Sequence, residues 1–137
     1  FGEAVVITNE TLKPDFRYSI KRHGGMLAKG RLLGIQFATL FTDNLYMTIA
    51  QHAINEAMRI KDALQEVGIS FLIDSPTNQQ FPIFNNTQLE VLGKKYRFSI
   101  WQHMDEEHTA VRICTSWGTK KENVDQLIAD IKQLKRD

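Results

Sequence analysis

The sequence predicts an α/β chain that changes character partway along. A first part holds one strand and several helices, and a second part is an α+β subdomain with an antiparallel sheet. Three observations carry this. Residues 4–8 (AVVIT) form an unbroken, mostly β-branched run, the pattern of a strand buried on both faces. Residues 45–67 place apolar side chains at close to helical period. From Ile69 onward, four short β-rich runs alternate with two capped helices in the order β-β-α-β-β-α. That order favours an antiparallel sheet with its helices on one face.

Taken in order, the strand at residues 4–8 is bounded by Asn9. A strand of this kind needs partners on both sides, and the remaining sequence offers few for a parallel sheet. The chain therefore reads as cut from something longer. It opens FGEAVVIT, with no initiator Met and no charged segment ahead of an apolar one, which is not a signal peptide. Lys13-Pro14-Asp15 then starts a helix, with Pro at an early helical position and an acid in the first turn. It carries Phe16, Tyr18 and Ile20 and stops at Gly24-Gly25.

Lys29, Gly30 and Arg31 stand before a run from Leu32 to Phe41 that is apolar on most of its circumference. Such a helix is expected to be buried, in a core or against another subunit. The turn at its mouth is a candidate anion site, because a helix N-terminus presents free N–H groups and partial positive charge. The alternative is a surface loop with two solvated cations. Thr42-Asp43-Asn44 is a break and a fresh N-cap. The next helix is long and runs from Leu45 to Val67, with Glu56, Arg59, Lys61, Asp62 and Glu66 on an expected solvated face. Gly68 ends it.

The four β-rich runs are residues 69–74, 80–84, 97–101 and 109–115. Pro82 inside the second favours an edge or a bulge. Thr87-Gln88-Leu89-Glu90 matches a capping box opening a helix to about Tyr96, and Thr119-Lys120-Lys121-Glu122 matches another. The last helix shows Val124, Leu127, Ile128, Ile131 and Leu134 on one face. Asp105-Glu106-Glu107 is an acidic hairpin tip.

Composition narrows the function classes. With 137 residues the chain can bury a real core. A net charge of +1 supplies no field to attract nucleic acid or a membrane surface. The single Cys114 excludes an internal disulfide and suits the cytoplasm. No apolar run is long enough for a transmembrane helix.

Among candidate chemical groups, Arg112 stands out. It lies in Ala110-Val111-Arg112-Ile113-Cys114, a run otherwise apolar. An unpaired buried guanidinium is costly, so it must find an anion or reach water, and its planar fork suits a carboxylate. The alternatives are an Arg on the open face of an edge strand, or one paired with a structural acid. His103 and His108 flank the acidic tip, but their spacing matches no strong zinc pattern, and a solvated hairpin is the expectation. His52 reads as surface or boundary. Asp74-Ser75-Pro76-Thr77-Asn78 is turn chemistry that can also point polar groups into a cleft. Cys114 reads as a small core residue. No phosphate-loop, dinucleotide or serine-nucleophile motif is present. No metal ligand and no catalytic residue is assigned.

Three segments in order carry a resemblance. Residues 16–37, including Lys21-Arg22-His23-Gly24-Gly25-Met26-Leu27-Ala28-Lys29-Gly30-Arg31, are similar to the threonine aldolase (β-eliminating lyase) family. So are Asp74-Ser75-Pro76-Thr77-Asn78-Gln79 and Val111-Arg112-Ile113-Cys114-Thr115-Ser116-Trp117. The opening Phe1-Gly2-Glu3-Ala4 resembles the segment just after the family's cofactor lysine. The resemblance implies the C-terminal part of a pyridoxal-phosphate enzyme of the aspartate aminotransferase class (fold type I). Residues 1–25 would end the large cofactor domain, 26–68 would be connecting helices, and 69–137 a small α+β domain.

The cofactor lysine, the residue stacking on the cofactor ring and the Asp facing its pyridine nitrogen would all precede Phe1. The chain alone is therefore expected to be inactive. The implied roles are substrate-carboxylate binding for Arg112, and cofactor-phosphate binding by Lys29, Arg31 or Lys21, reaching from a neighbouring subunit of a dimer or tetramer. The implied reaction is cleavage of a β-hydroxy-α-amino acid to glycine and an aldehyde, in the cytoplasm. Another pyridoxal-phosphate β-eliminating lyase, or a non-catalytic oligomerisation or regulatory module, remain open alternatives.

Overall fold

A computed structural model describes residues 2–134; Phe1, the first residue of the opening resemblance, lies outside them. The chain divides into two compact units, residues 1–46 and residues 47–137.

In the first unit the expected strand at residues 4–8 does not form. Residues 2–9 have no regular structure, and Val5 and Val6 are exposed. A strand must pair its N–H and C=O groups with a neighbour, and no strand among the described residues lies in this unit. A short 3-10 turn at Glu10–Leu12 is capped by Asn9, whose side chain accepts from the Thr11 N–H. Helix α1 (Phe16–Arg22) begins later than the sequence suggests, with Asp15 outside its first turn at φ 58°. It ends as expected: Gly24 has φ 74°, and the Gly25 N–H reaches back to the Ile20 carbonyl, the wrap that favours Gly after a helix.

Helix α2 (Arg31–Leu40) forms where its apolar run predicts, but it contains no buried residue. Leu33, Phe37 and Leu40 are half-buried, whereas Leu32 and Ile35 are exposed, as is Phe41 beyond the helix. Of the two settings expected for this helix, a core or a contact with another subunit, the core is not seen among the described residues.

The second unit holds the core. Helix α3 (Leu45–Glu66) starts at the boundary of the units and ends at Gly68, φ 86°. Its expected solvated face is partly structural. Glu56 is buried and ion-paired with Arg59, which also binds Asp125, and Lys61 binds Asp74. Asp125 and Asp74 are remote from the helix in sequence, so a helix-face reading cannot show them.

Four strands come after it: β1 (Gln79–Gln80), β2 (Ile83–Asn85), β3 (Ser99–His103) and β4 (His108–Cys114). The first three all pair antiparallel with β4. β4 is therefore central, flanked by β3 on one edge and by β1 and β2 in succession on the other. Pro82 splits the expected second run into β1 and β2, having no N–H for a ladder, while its carbonyl accepts from the Val111 N–H. The run at residues 69–74 contributes only a bridge, Phe71 to Pro82. Helix α4 (Asn86–Gly93) opens with a capping box between Asn85 and Gln88, two residues ahead of the Thr87–Glu90 match. Helix α5 (Lys121–Lys132) has no side-chain cap; the Thr119 hydroxyl instead accepts from the Ser116 N–H.

Ile60, Leu64, Leu92, Val124, Leu127 and Ile131 of the helices meet Phe84 and Val111 of the sheet in one core. Val111 and Ile113 both join this cluster. Successive strand residues point to opposite faces, so Arg112 belongs to the other face.

Candidate functional site

β4 carries Arg112 on a firmly held strand. Both edges of β4 are paired, and Ala110 and Val111 are fully buried. Past Cys114 the chain is tied down again. The Thr115 N–H donates to the Asn78 carbonyl, and the Asn78 amide donates to the Thr115 carbonyl at 2.7 Å. The buried Thr115 hydroxyl donates to the Ala53 carbonyl of α3 at 2.6 Å. Ser75, Thr77 and Gln80 knit the 74–80 loop, with the Gln80 amide donating to the Ser75 and Thr77 carbonyls. The sequence reads this loop as turn chemistry, and most of its polar groups do hold the loop and the end of β4 together.

Arg112 is half-buried. Its Nε is out of contact with solvent and has no hydrogen-bond partner. No acid pairs with its guanidinium among the described residues. Its Cζ lies 5.5 Å from the centre of the Trp101 ring, within the range of a cation–π contact. The Trp101 ring in turn meets Phe81 edge-on, centroids 5.0 Å apart. The guanidinium is thus neither free in solvent nor consumed by a structural acid. Such an arrangement offers a donor fork to a small anion, and a carboxylate fits it in shape and charge.

Trp101 is the residue that sequence reasoning missed. Counting outward from the hairpin tip at Asp105–Glu107 sets Trp101 opposite Val111, and only the register slip between Ile100 and Gln102 frees it from that pairing.

Lys21, Lys29 and Arg31 of the first unit are exposed and make no ion pair among the described residues. Lys29 lies in the turn, and Arg31 is the first residue of α2, where Gly30 offers no side-chain cap. Lys21 lies in the last turn of α1, away from that helix start in sequence. The start of α2 leaves N–H groups beside two cations, which suits an anion.

The remaining candidates resolve simply. The His108 ring and backbone N–H both bond to Asp105, whose carboxyl is held below its usual range mainly by the Glu107 N–H. His103 bonds Thr109. His52 bonds the Thr119 carbonyl at 2.8 Å and is half-buried, a boundary position. Cys114 is exposed, not a core residue, because it closes β4 on the face opposite Ile113. A concavity of about 290 Å³ lies at the other end of β4, between Gly68, Asn85 and His108, away from Arg112.

No family model matches the sequence. A low specificity L-threonine aldolase of Pseudomonas sp. (strain NCIMB 10558) is 28% identical over 135 residues, 97% of this chain and 38% of that protein. The enzyme of the same name from Pseudomonas aeruginosa is 28% identical over 133 residues, 96% of this chain and 37% of that protein. The solved structure of Leishmania major threonine aldolase superposes with a TM-score of 0.84 at 35% identity, covering 93% of this chain and 37% of that one. The chain therefore spans little more than a third of the length of the relatives it matches. In sequence and in fold the chain is similar to a portion of threonine aldolase, and it shares an α/β architecture with an antiparallel sheet.

Proposed function

We propose that the protein carrying this chain cleaves threonine-type β-hydroxy-α-amino acids to glycine and an aldehyde with the help of pyridoxal phosphate. In this reading Arg112 binds the substrate carboxylate. The observation that carries the reading is the state of that side chain: half-buried, its Cζ 5.5 Å from the centre of the Trp101 ring, its Nε without a partner. A folded chain rarely leaves a buried donor unsatisfied without a use for it.

The bond to be broken joins Cα and Cβ of the amino acid. Pyridoxal phosphate, when bound, supplies the electron sink for the charge left on Cα. Arg112 fixes the carboxylate on the same carbon, and so sets the rotation of the substrate about Cα and decides which bond is aligned for cleavage. β4, paired on both edges and tied at Thr115, keeps that grip from drifting. Lys29 and Arg31, with the uncapped N–H groups of α2, fit a phosphate group, and they hold the cofactor's phosphate from a neighbouring subunit of a dimer or tetramer. Residues 1–25 then close the large cofactor domain, 26–68 connect, and 69–137 form the small domain. The protein acts in the cytoplasm. The cofactor lysine is supplied from outside these residues, so the isolated chain is inactive.

The test is Arg112→Ala in the complete protein. KM for threonine rises steeply while cofactor absorbance stays intact; near-normal kinetics remove the assignment.

A further inference from the structure

Resting on the carboxylate role of Arg112, we infer that Trp101 is a positioning residue for the reaction, holding the Arg112 guanidinium face-down so that its donor edge points at the substrate. Three features of the sheet support this. First, the β3–β4 register slips between Ile100 and Gln102, and Trp101 is the residue left out of the pairing. Bulges of this kind re-aim a side chain and are common beside active sites. Second, Trp101 uses that freedom to place its ring 5.5 Å from the Arg112 Cζ. Third, the indole is itself braced: Phe81, only 9% exposed, meets it edge-on.

Arg112 has no carboxylate to orient it among the described residues, and its Nε bonds to nothing. The indole face is therefore the side-chain contact that restrains the guanidinium plane. An aromatic face restrains a guanidinium without occupying its N–H groups. A structural acid at the same place would consume the fork that the substrate needs. Trp101 is 50% exposed, so the stack is open on one side, as a site that admits a small anion must be.

The experiment compares Trp101→Leu, Trp101→Phe and Arg112→Ala in the complete protein. Trp101→Leu raises KM for threonine by roughly twofold to fivefold with kcat little changed, the range such a contact carries. Trp101→Phe keeps an aromatic face and stays close to the parent, below the effect of Trp101→Leu. The inference is overturned if Trp101→Leu matches the parent while Arg112→Ala is impaired, or if Trp101→Phe is as impaired as Trp101→Leu. Failure of the carboxylate reading looks different: Arg112→Ala itself is then near normal. In that case the Arg112 Nε–H resonance in NMR decides alone. A ring-current displacement that vanishes in Trp101→Leu upholds the hold of Trp101 on Arg112, and an unmoved resonance overturns it.

Discussion

Replacing Arg112 with methionine separates a binding arginine from a structural one. Methionine matches the arginine side chain as far as the ε position, and it carries neither charge nor donors. An unsatisfied buried N–H costs about 1–3 kcal/mol of stability, and removing it recovers that penalty. The cation–π attraction given up in exchange is worth about 0.5–1 kcal/mol at a site open to water. The net expectation for Arg112→Met runs from no change to a gain of roughly 2 kcal/mol. An arginine in a structural buried ion pair would instead lose about 3–5 kcal/mol.

Binding moves the other way. A charge-assisted hydrogen bond is worth about 1.5–3 kcal/mol, so losing the fork raises KM for threonine at least about tenfold. The assay pairs denaturant midpoints, taken at unchanged slope, with steady-state kinetics on the complete protein. A variant destabilised by more than about 2 kcal/mol would mean that Arg112 has a structural partner, and the argument from its unmet Nε would collapse.

The other predictions concern what holds the second unit together. Phe84 is fully buried and packs against Phe98 at 6.1 Å; Phe84→Ala costs about 3–5 kcal/mol, read as a lowered denaturant midpoint. The Tyr96 hydroxyl is pushed up to about 12, first by burial and then by its 2.6 Å bond to Asp130. The folded state then keeps that proton longer than the unfolded one, so this contribution is full below the ordinary tyrosine range and is lost as pH rises toward about 12. Tyr96→Phe flattens the alkaline fall in unfolding midpoint; an unchanged slope contradicts the assignment. Asp130 is held below its usual range by Lys95 first and Tyr96 second. Its contribution is present above the ordinary carboxylate range and fades as pH falls through the lowered value. Asp130→Asn therefore flattens the acid limb of the same midpoint profile.

Where local periodicity decides structure, the sequence was readable. α3 and α5 lie where their apolar spacing puts them, and Gly68 stops α3 as a glycine after a helix does. Arg112 was legible because a charge in an apolar strand is an anomaly in any fold. Most of the misreadings share one cause, which is that their outcome depends on partners remote in sequence. The β-branched run at residues 4–8 has the right residues for a strand, but among the described residues it has no partner. Glu56 looks like a surface residue of a helix, yet it is buried and paired with Arg59, which in turn binds the distant Asp125. Trp101 could not be tied to Arg112 without knowing that β3 slips by one residue. The α4 cap is a local miss: the Asn85 and Gln88 side chains satisfy each other's backbone N–H groups, an equally good box two residues earlier.

The position of Arg112 also explains how a fold of this size tolerates it. A charge with an unmet donor weakens whatever holds it, so it must sit where the surroundings cannot relax around it. β4 meets that need: strands bond it on both edges, Val111 anchors its inner face in the core, and Thr115 fastens its end to α3. On an edge strand or a loop the backbone would shift until the guanidinium reached water or an acid, and the donor would be satisfied and lost to a ligand. The core of Ile60, Leu64, Leu92 and Ile131 thus has a consequence beyond stability. By making the central strand immovable, it keeps the half-buried Arg112 guanidinium from turning to a structural acid.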